Sequence, residues 1–337
     1  MIGDVGAAIT GALVIVGDRL GFYRVLAAKG PMTSVDLAAQ TGTHERYVRE
    51  WLANQAASGY LTYDPATKAF TLPPEHAPML ADENSPVLMC GLYAIAQVLY
   101  GDEEKIRKAF QSGKGVGWHE HDGRLFPATE RFFRPGYNAN IAANWIPALG
   151  GVERKLRQGA RVADVGCGHG SSTILMAQAY PKSTFVGFDY HQESIDAARA
   201  SAKKSGVEVR VTLEVESAKS FPGTYDFIAC FDCIHDMGDP VGAAMHIRSA
   251  LAKGGSFMMV EPFANDALEN NLNPIGRIFY GASTFLCTPA SLAQDVGLGL
   301  GAQAGEARLR AVFGEAGYSE FRRATETPFN IVYEARG

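Results

Sequence analysis

Val162-Ala163-Asp164-Val165-Gly166-Cys167-Gly168-His169-Gly170-Ser171-Ser172 is the stretch that decides the fold. Val162, Ala163 and Val165 form a short apolar, mostly β-branched run that reads as a buried strand. Gly166, Gly168 and Gly170 follow at alternate positions. They reach backbone angles that other residues resist, and they let a ligand come close to the main chain. Ser171 and Ser172 suit the first turn of a helix continuing through residues 173–177. A glycine turn between a parallel strand and a helix is where doubly wound α/β folds bind nucleotides.

The spacing narrows the ligand. A dinucleotide fingerprint is G-x-G-x-x-G, with a pyrophosphate at the helix start. Here the pattern is G-x-G-x-G, preceded by Asp164, and neither the loop nor the helix start carries Lys or Arg. That excludes a P-loop, and an acid beside the loop suits the cationic amino-acid part of S-adenosylmethionine (SAM). Residues 184–189 read as the next strand, ending on Asp189, whose carboxylate can accept both ribose hydroxyls. NAD enzymes share that second feature. Together the two stretches resemble motif I and the ribose acid of class I SAM-dependent methyltransferases, over residues 161–337. The resemblance implies a Rossmann-like α/β domain with a mostly parallel seven-stranded sheet, SAM as cofactor and S-adenosylhomocysteine (SAH) as product. The competing reading is a Rossmann-like domain with a different nucleotide site, since fold does not fix function.

A chain of 337 residues can hold two domains. Its 47% hydrophobic and 20% charged content is that of an ordinary globular protein. A net charge of −5 gives no general attraction to nucleic acid or anionic membrane. Cys90, Cys167, Cys230, Cys233 and Cys287 are an odd, scattered set, which implies free thiols in a reducing compartment. Cys230-x-x-Cys233 has metal or redox spacing without a second pair, so buried thiols are expected and no metal site is assigned. The apolar run at residues 5–16 follows Asp4, lacks a basic cluster, and ends before Asp18-Arg19. It fits neither a signal peptide nor a membrane span of about 20 residues, and a cytoplasmic protein is expected.

Residues 7–28 read as one helix, apolar nearly all round in its first part, which a partner subunit would cover. Thr33 caps a helix at residues 34–41, and Thr43 a second at 44–58. A hairpin of residues 60–63 and 69–72 completes a winged helix in a first domain of residues 1–80. That domain holds six Lys and Arg against seven Asp and Glu, not the footprint of a phosphate binder. A homodimerisation module is expected, and a nucleic-acid or membrane partner is not.

Residues 81–150 read as a helical connector with helices at 87–100 and 102–110. Residues 113–123 form a flexible loop in which Trp118 and His119 are candidates for the acceptor entrance. His119, His121, Glu120 and Asp122 alternate like a metal cluster, but also like a solvated loop. A helix at 138–149 leads into the catalytic domain, residues 151–337. This order resembles plant-type small-molecule O-methyltransferases and actinobacterial winged-helix methyltransferases. In those relatives an aromatic just before the catalytic domain touches SAM, which implies Tyr137, in the same stretch as Phe133.

Strands are expected at residues 209–213, 225–231 and 256–261, helices at 194–205, 241–251 and 308–316, and a closing antiparallel pair at 321–324 and 329–334. The resemblance implies cofactor contacts from Asp164, Gly166, Cys167, Gly168, Gly170, Asp189, Tyr190, Ser217, Ala218, Phe231 and Asp232. Ser217 stands where the family usually has an Asp for the adenine amino group, a departure that a hydroxyl acceptor partly covers.

His235-Asp236 follows the 225–231 strand and resembles the His-Asp segment of the same O-methyltransferases, where the histidine is the general base. A phenol of pKa about 10 is mostly protonated at neutral pH, and a base positioned on it gains about 10² to 10⁴ in rate. The resemblance implies Glu261 as one acidic partner of His235. The second falls nearest Gln303, where an acid is expected. A purely structural His235 is the alternative. Residues 263–305 form an apolar, glycine-containing insertion with Phe279 and Tyr280 among its acceptor candidates, and it suits a lid. The expected function is methyl transfer from SAM to a small hydrophobic or aromatic acceptor, most simply to oxygen. The rivals are N- or C-transfer, and a transcriptional regulator that senses SAM or a metabolite.

Overall fold

Apolar β-strands alternating with helices build one seven-stranded sheet, and the computed structural model describes it within residues 1–337. In chain order the strands are β1 (Arg161–Val165), β2 (Thr184–Asp189), β3 (Val211–Val215), β4 (Tyr225–Phe231), β5 (Leu251–Pro262), β6 (Glu320–Glu326) and β7 (Asn330–Arg336). Their order across the sheet is β3-β2-β1-β4-β5-β7-β6. The first five run parallel, and β7 is antiparallel to β5 and β6. Val162 lies between Phe185 of β2 and Phe227 of β4. The strand order therefore reverses between β1 and its two neighbours, and the C-terminal ends of β1, β2 and β4 share one edge. Ligands of such sheets bind at that crevice. The Rossmann-like α/β expectation holds.

The third strand starts later than expected. Arg210 N donates to Val207 O in a turn, and Val209 is exposed, so pairing begins at Val211.

The chain divides into two compact units, Met1–Tyr100 with Pro127–Ala139, and Gly101–Phe126 with Asn140–Gly337. The connector is thus shared between them. In the first unit, the helix expected over 7–28 is two helices, Ile2–Arg19 and Phe22–Lys29. They are broken at Gly21, whose φ of 76° ends the first helix. Thr33 caps Ser34–Thr41 in a capping box with Asp36. The next helix, Glu45–Ala57, is capped by His44 rather than Thr43. Thr43 instead pairs with the Thr41 hydroxyl at 2.8 Å. Thr62–Asp64 and Ala69–Thr71 form the wing. Trp51 packs edge-on against Phe22 and Tyr23, and its indole N–H donates to Leu13 O at 2.8 Å. Asp18 is buried and accepts a two-pronged bond from Arg131, at 2.6 and 2.8 Å.

Phe132–Tyr137 do not lead into a helix; they lie within one, Leu125–Asn140, which contains Pro135. A π-helical turn, Ile141–Trp145, and a 3₁₀ turn, Ile146–Ala148, replace the regular helix expected after it. No single helix of the chain is long and apolar enough to cross a membrane.

Candidate active site

The glycine loop joins β1 to helix Ser171–Ala179. Each glycine has its own reason. Gly166 (φ 75°) and Gly170 (φ 79°) sit in the left-handed region, where a Cβ would also come within 2.7 Å of Cys233 Sγ and 2.9 Å of Ala198 Cβ. Gly168 (φ 51°) faces open space, with nothing within 4 Å of a Cβ position. That is the bare main chain a ligand needs.

Asp164 is 1% exposed, deeper than a residue at the loop surface. Its Oδ2 accepts from Ser172 Oγ at 2.6 Å and Thr173 Oγ1 at 2.5 Å, which ties the strand end to the helix start. Burial pushes its carboxyl up to about 6 against those two hydroxyls, and the charge of Asp189 pushes the same way. Oδ1 is buried with no hydrogen-bond partner. Asp189, at the end of β2, accepts from Gly168 N through Oδ2 and from His191 N through Oδ1, both at 2.9 Å. Each oxygen keeps a lone pair for a further donor, as a ribose diol requires. Burial raises the pKa of this carboxyl as well. These residues fit SAM: an aligned pair of carboxylate acceptors, an orphaned buried carboxylate oxygen, an open backbone loop and no cation for a phosphate.

Phe231 ends β4 in the core, and Asp232 follows with φ of 50°, an unusual angle that Asp tolerates better than most residues. Asn330 holds it, donating from Nδ2 to Asp232 Oδ1 at 2.8 Å. Tyr190 is half exposed. Ser217 is exposed, and its hydroxyl accepts from Lys219 N at 3.2 Å, while Ala218 packs on the sheet core. Cys167 is buried in the loop. Phe126 stacks on His191 at 4.5 Å and on His169 at 6.3 Å, beside the loops after β1 and β2. Tyr137 belongs to the N-terminal unit, where it is buried and stacked on Phe133.

His235 lies in the turn Ile234–Asp236 after β4. Cys233 Sγ donates to Val165 O at 3.4 Å, fastening this turn to the end of β1. Cys230 is buried within β4, so the Cys-x-x-Cys pair is a packing pair. His235 is buried; its Nδ1 pairs with Glu261 Oε2, and its Nε2 lies 3.1 Å from Asp236 Oδ1. Glu261 Oε1 accepts from Ile234 N at 3.0 Å, which fixes that carboxylate. Burial disfavours the imidazolium, but the Glu261 and Asp236 charges outweigh it and raise the pKa of His235 well above 6.5. Gln303 is not the second partner. Its Nε2 donates to Phe263 O and Ala302 O. Asp236, adjacent in sequence, takes that place.

The loop expected to be flexible is tied down. Val116 N donates to Pro289 O at 3.0 Å, and a Cβ on Gly115 would fall 2.0 Å from Ala293 N. Trp118 Nε1 donates to Asp236 Oδ2 at 3.0 Å. His119 is exposed, whereas His121 is buried with Nδ1 2.6 Å from Asp102 Oδ2, so the two histidines do not share a ligand. The 263–305 insertion holds helices Pro274–Ala282 and Thr288–Leu292. It packs on the His235 turn: Ser291 Oγ donates to Met237 O, Gln294 Nε2 to Asp236 O, and Leu298 N to Gly238 O. Phe279 is buried and Tyr280 half-buried. Sequence reasoning named Trp118 but missed Asp236 as the second partner of His235, and Cys287, whose sulfur lies near the His235–Asp236 pair. The His-Asp dipeptide was the available signal for the first, and Cys287 carried none.

Comparison with known proteins agrees with this fold. Residues 156–288 match the model of a methyltransferase domain. These residues carry the glycine loop, Asp189 and the His235 turn on the Rossmann-like sheet. More narrowly, residues 7–82 match the Rv2258c-like winged HTH domain, so the chain joins a winged helix to that catalytic fold. The ubiquinone biosynthesis O-methyltransferase of Bordetella avium is 34% identical over 132 residues, 38% of this chain and 52% of the relative. That of Pseudomonas aeruginosa is 28% identical over 134 residues, 39% and 54% of the two. The chain therefore spans about half the length of these relatives. Mitomycin 7-O-methyltransferase MmcR superposes with a TM-score of 0.70 at 19% identity, over 99% of this chain and 96% of that one. Human N-acetylserotonin methyltransferase in complex with SAM gives 0.69 at 16%, over 98% and 95%. At such identities the likeness is one of fold.

Proposed function

We propose that this chain transfers a methyl group from SAM to the oxygen of a small hydrophobic or aromatic acceptor, with His235 as general base. The observation that carries the reading is the buried Glu261–His235 pair on the same sheet edge as the glycine loop and Asp189.

When bound, the cofactor supplies a methyl on a sulfonium that is already a good leaving group. Asp189 would hold its ribose diol beside the bare main chain at Gly168, and Phe231 and Asp232 border the same edge. Glu261 occupies His235 Nδ1, so Nε2 is the atom left to take a proton from an acceptor hydroxyl. The imidazolium must first lose its own proton, so the rate rises with pH. Trp118, Phe279 and Tyr280 provide apolar surface suited to an aromatic acceptor, and the insertion that packs on the base suits a lid that excludes water.

The N-terminal unit suits a homodimer. Helix Ile2–Arg19 leaves Ile2, Val5 and Ile9 exposed at 92, 61 and 62%, an apolar stripe at helical spacing for a second copy to cover. Its basic residues do not favour DNA, because Arg46 and Arg49 pair with Glu50 and Glu45 along their own helix.

Calorimetric titration of SAH into the protein tests the reading. Micromolar binding supports it and justifies a screen of phenolic acceptors. Absence of binding overturns it.

A further inference from the structure

Three side chains from two distant stretches converge at the proposed base. One ligand atom from each of His235, Asp236 and Cys287 lies within 4.8 Å of the other two, and Nδ1 of the imidazole is already taken by Glu261. The three residues are 3, 9 and 7% exposed. Asp236 Oδ1 is 3.1 Å from His235 Nε2, yet it receives no hydrogen bond and is closed to solvent. A buried carboxylate oxygen calls for a cation close by; the imidazolium supplies that charge when His235 is protonated, and a metal ion would supply it when Nε2 is a free lone pair.

The groups behind these atoms are already engaged. Glu261 holds the other imidazole nitrogen, and the Trp118 indole N–H holds the other Asp236 oxygen at 3.0 Å. Glu261 is fixed in turn by Ile234 N. Metal-bound histidines almost always use their second nitrogen in this way, and bound carboxylates are likewise hydrogen-bonded.

We propose that His235 Nε2, Asp236 Oδ1 and Cys287 Sγ form a three-ligand site for a thiophilic divalent cation of the zinc type, with a fourth position left for water or an acceptor heteroatom. One thiolate, one imidazole and one carboxylate select zinc over magnesium or calcium, which prefer oxygen alone. Zinc bonds of about 2.0–2.3 Å put its ligands roughly 3–4 Å apart. The imidazole–carboxylate pair already has that spacing, and the sulfur has to close by no more than about 1 Å.

Binding displaces the Cys287 thiol proton and the Nε2 proton of the imidazolium to solvent, so affinity rises with pH. The cation then occupies the lone pair on which proton transfer depends. It silences the base without touching the glycine loop or Asp189. This inhibitory consequence rests on the proposed function; the binding does not.

The test uses the full chain, stripped with chelator. Co²⁺ serves as an optical probe for a thiolate ligand, and Zn²⁺ is titrated against a chromogenic chelator. Both are run on the wild type and on Cys287→Ser, with SAH calorimetry on each sample. The expected result is one ion per chain, a thiolate-to-cobalt absorption band, and zinc affinity about 100-fold or more weaker in Cys287→Ser, with SAH affinity unchanged. Absence of the band in the wild type overturns the site, as does zinc affinity indifferent to Cys287→Ser. Should Cys287→Ser lose SAH binding through misfolding, the wild-type band and the loss of zinc in Asp236→Asn decide. Zinc bound through Cys287 in a protein that ignores SAH upholds the cation site and sinks the methyltransferase reading instead.

Discussion

Trp118 donates its indole N–H to Asp236 at 3.0 Å across 118 residues of sequence, and Asp236 in turn lies against His235. The loop before the catalytic sheet is thereby wired to the turn that carries the proposed base. Trp118→Phe removes the donor and keeps most of the apolar area. Losing a hydrogen bond to a buried charged group costs about 1.5–3 kcal/mol. Turnover (kcat/KM) should fall by about tenfold or more, while SAH affinity stays the same. Steady-state kinetics beside calorimetry separates the two.

The charge on His235 has a direction. Burial works against the imidazolium, and Glu261 and Asp236 overcome it, so the folded pKa stands well above 6.5. A raised histidine stabilises the fold fully below its unfolded pKa and loses that contribution as pH rises through the folded value. Activity runs the other way, because the base works only when neutral. In chelator-treated protein, kcat/KM should climb with pH above neutrality, and Asp236→Asn should move that limb to lower pH. A limb that stays put in Asp236→Asn contradicts the role given to Asp236.

Asp189 is the cofactor's test residue. Its carboxylate binds Gly168 N and His191 N and retains acceptor capacity on both oxygens. Asp189→Ala should weaken SAH by about tenfold or more, roughly 1.4 kcal/mol. An unchanged dissociation constant in the calorimeter would place the ribose elsewhere.

Asp164 carries a cost. Burial raises its carboxyl to about 6 from 3.8, so the folded state holds the proton more tightly than the unfolded chain. Stability should therefore decline as pH rises from about 4 to about 6. Asp164→Asn keeps an acceptor for Ser172 and Thr173 and removes the buried charge. Its denaturant midpoint at pH 7 should match or exceed the wild type.

Arg131 joins distant parts of the N-terminal unit. It meets buried Asp18 with two bonds and Glu83 with two more, at 3.1 and 2.5 Å. Arg131→Ala leaves Asp18 buried without its main partner, at a cost of about 3 kcal/mol. Chemical denaturation should show the loss. Asp18→Asn combined with Arg131→Met should recover part of it, because the uncompensated charge is gone.

The catalytic sheet was legible because its signals are local. An apolar run, a glycine turn and an acid at a strand end occupy adjacent positions, and Arg161–Val165, Thr184–Asp189 and Tyr225–Phe231 form as the pattern dictates. Boundaries failed where a local event lacked a pattern. Gly21 divides an apolar run that reads as one helix, and Pro135 sits inside a helix it was expected to precede. The second partner of His235 was sought at Gln303 by family position, but the residue that fills it is the sequence neighbour Asp236.

The sequence by itself determined the class of fold and put Asp189, His235 and Glu261 at or just after strand ends on one edge of the sheet. Periodicity and turn chemistry act between near neighbours, so they can be read from the chain. Only the tertiary structure decided that Asp164 faces the helix rather than the loop surface, that Trp118 reaches Asp236, and that Cys287 joins His235. Those contacts depend on how the 113–123 loop and the 263–305 insertion pack on the catalytic turn. Packing of that kind follows from burial and shape summed over many residues, and no short motif encodes it.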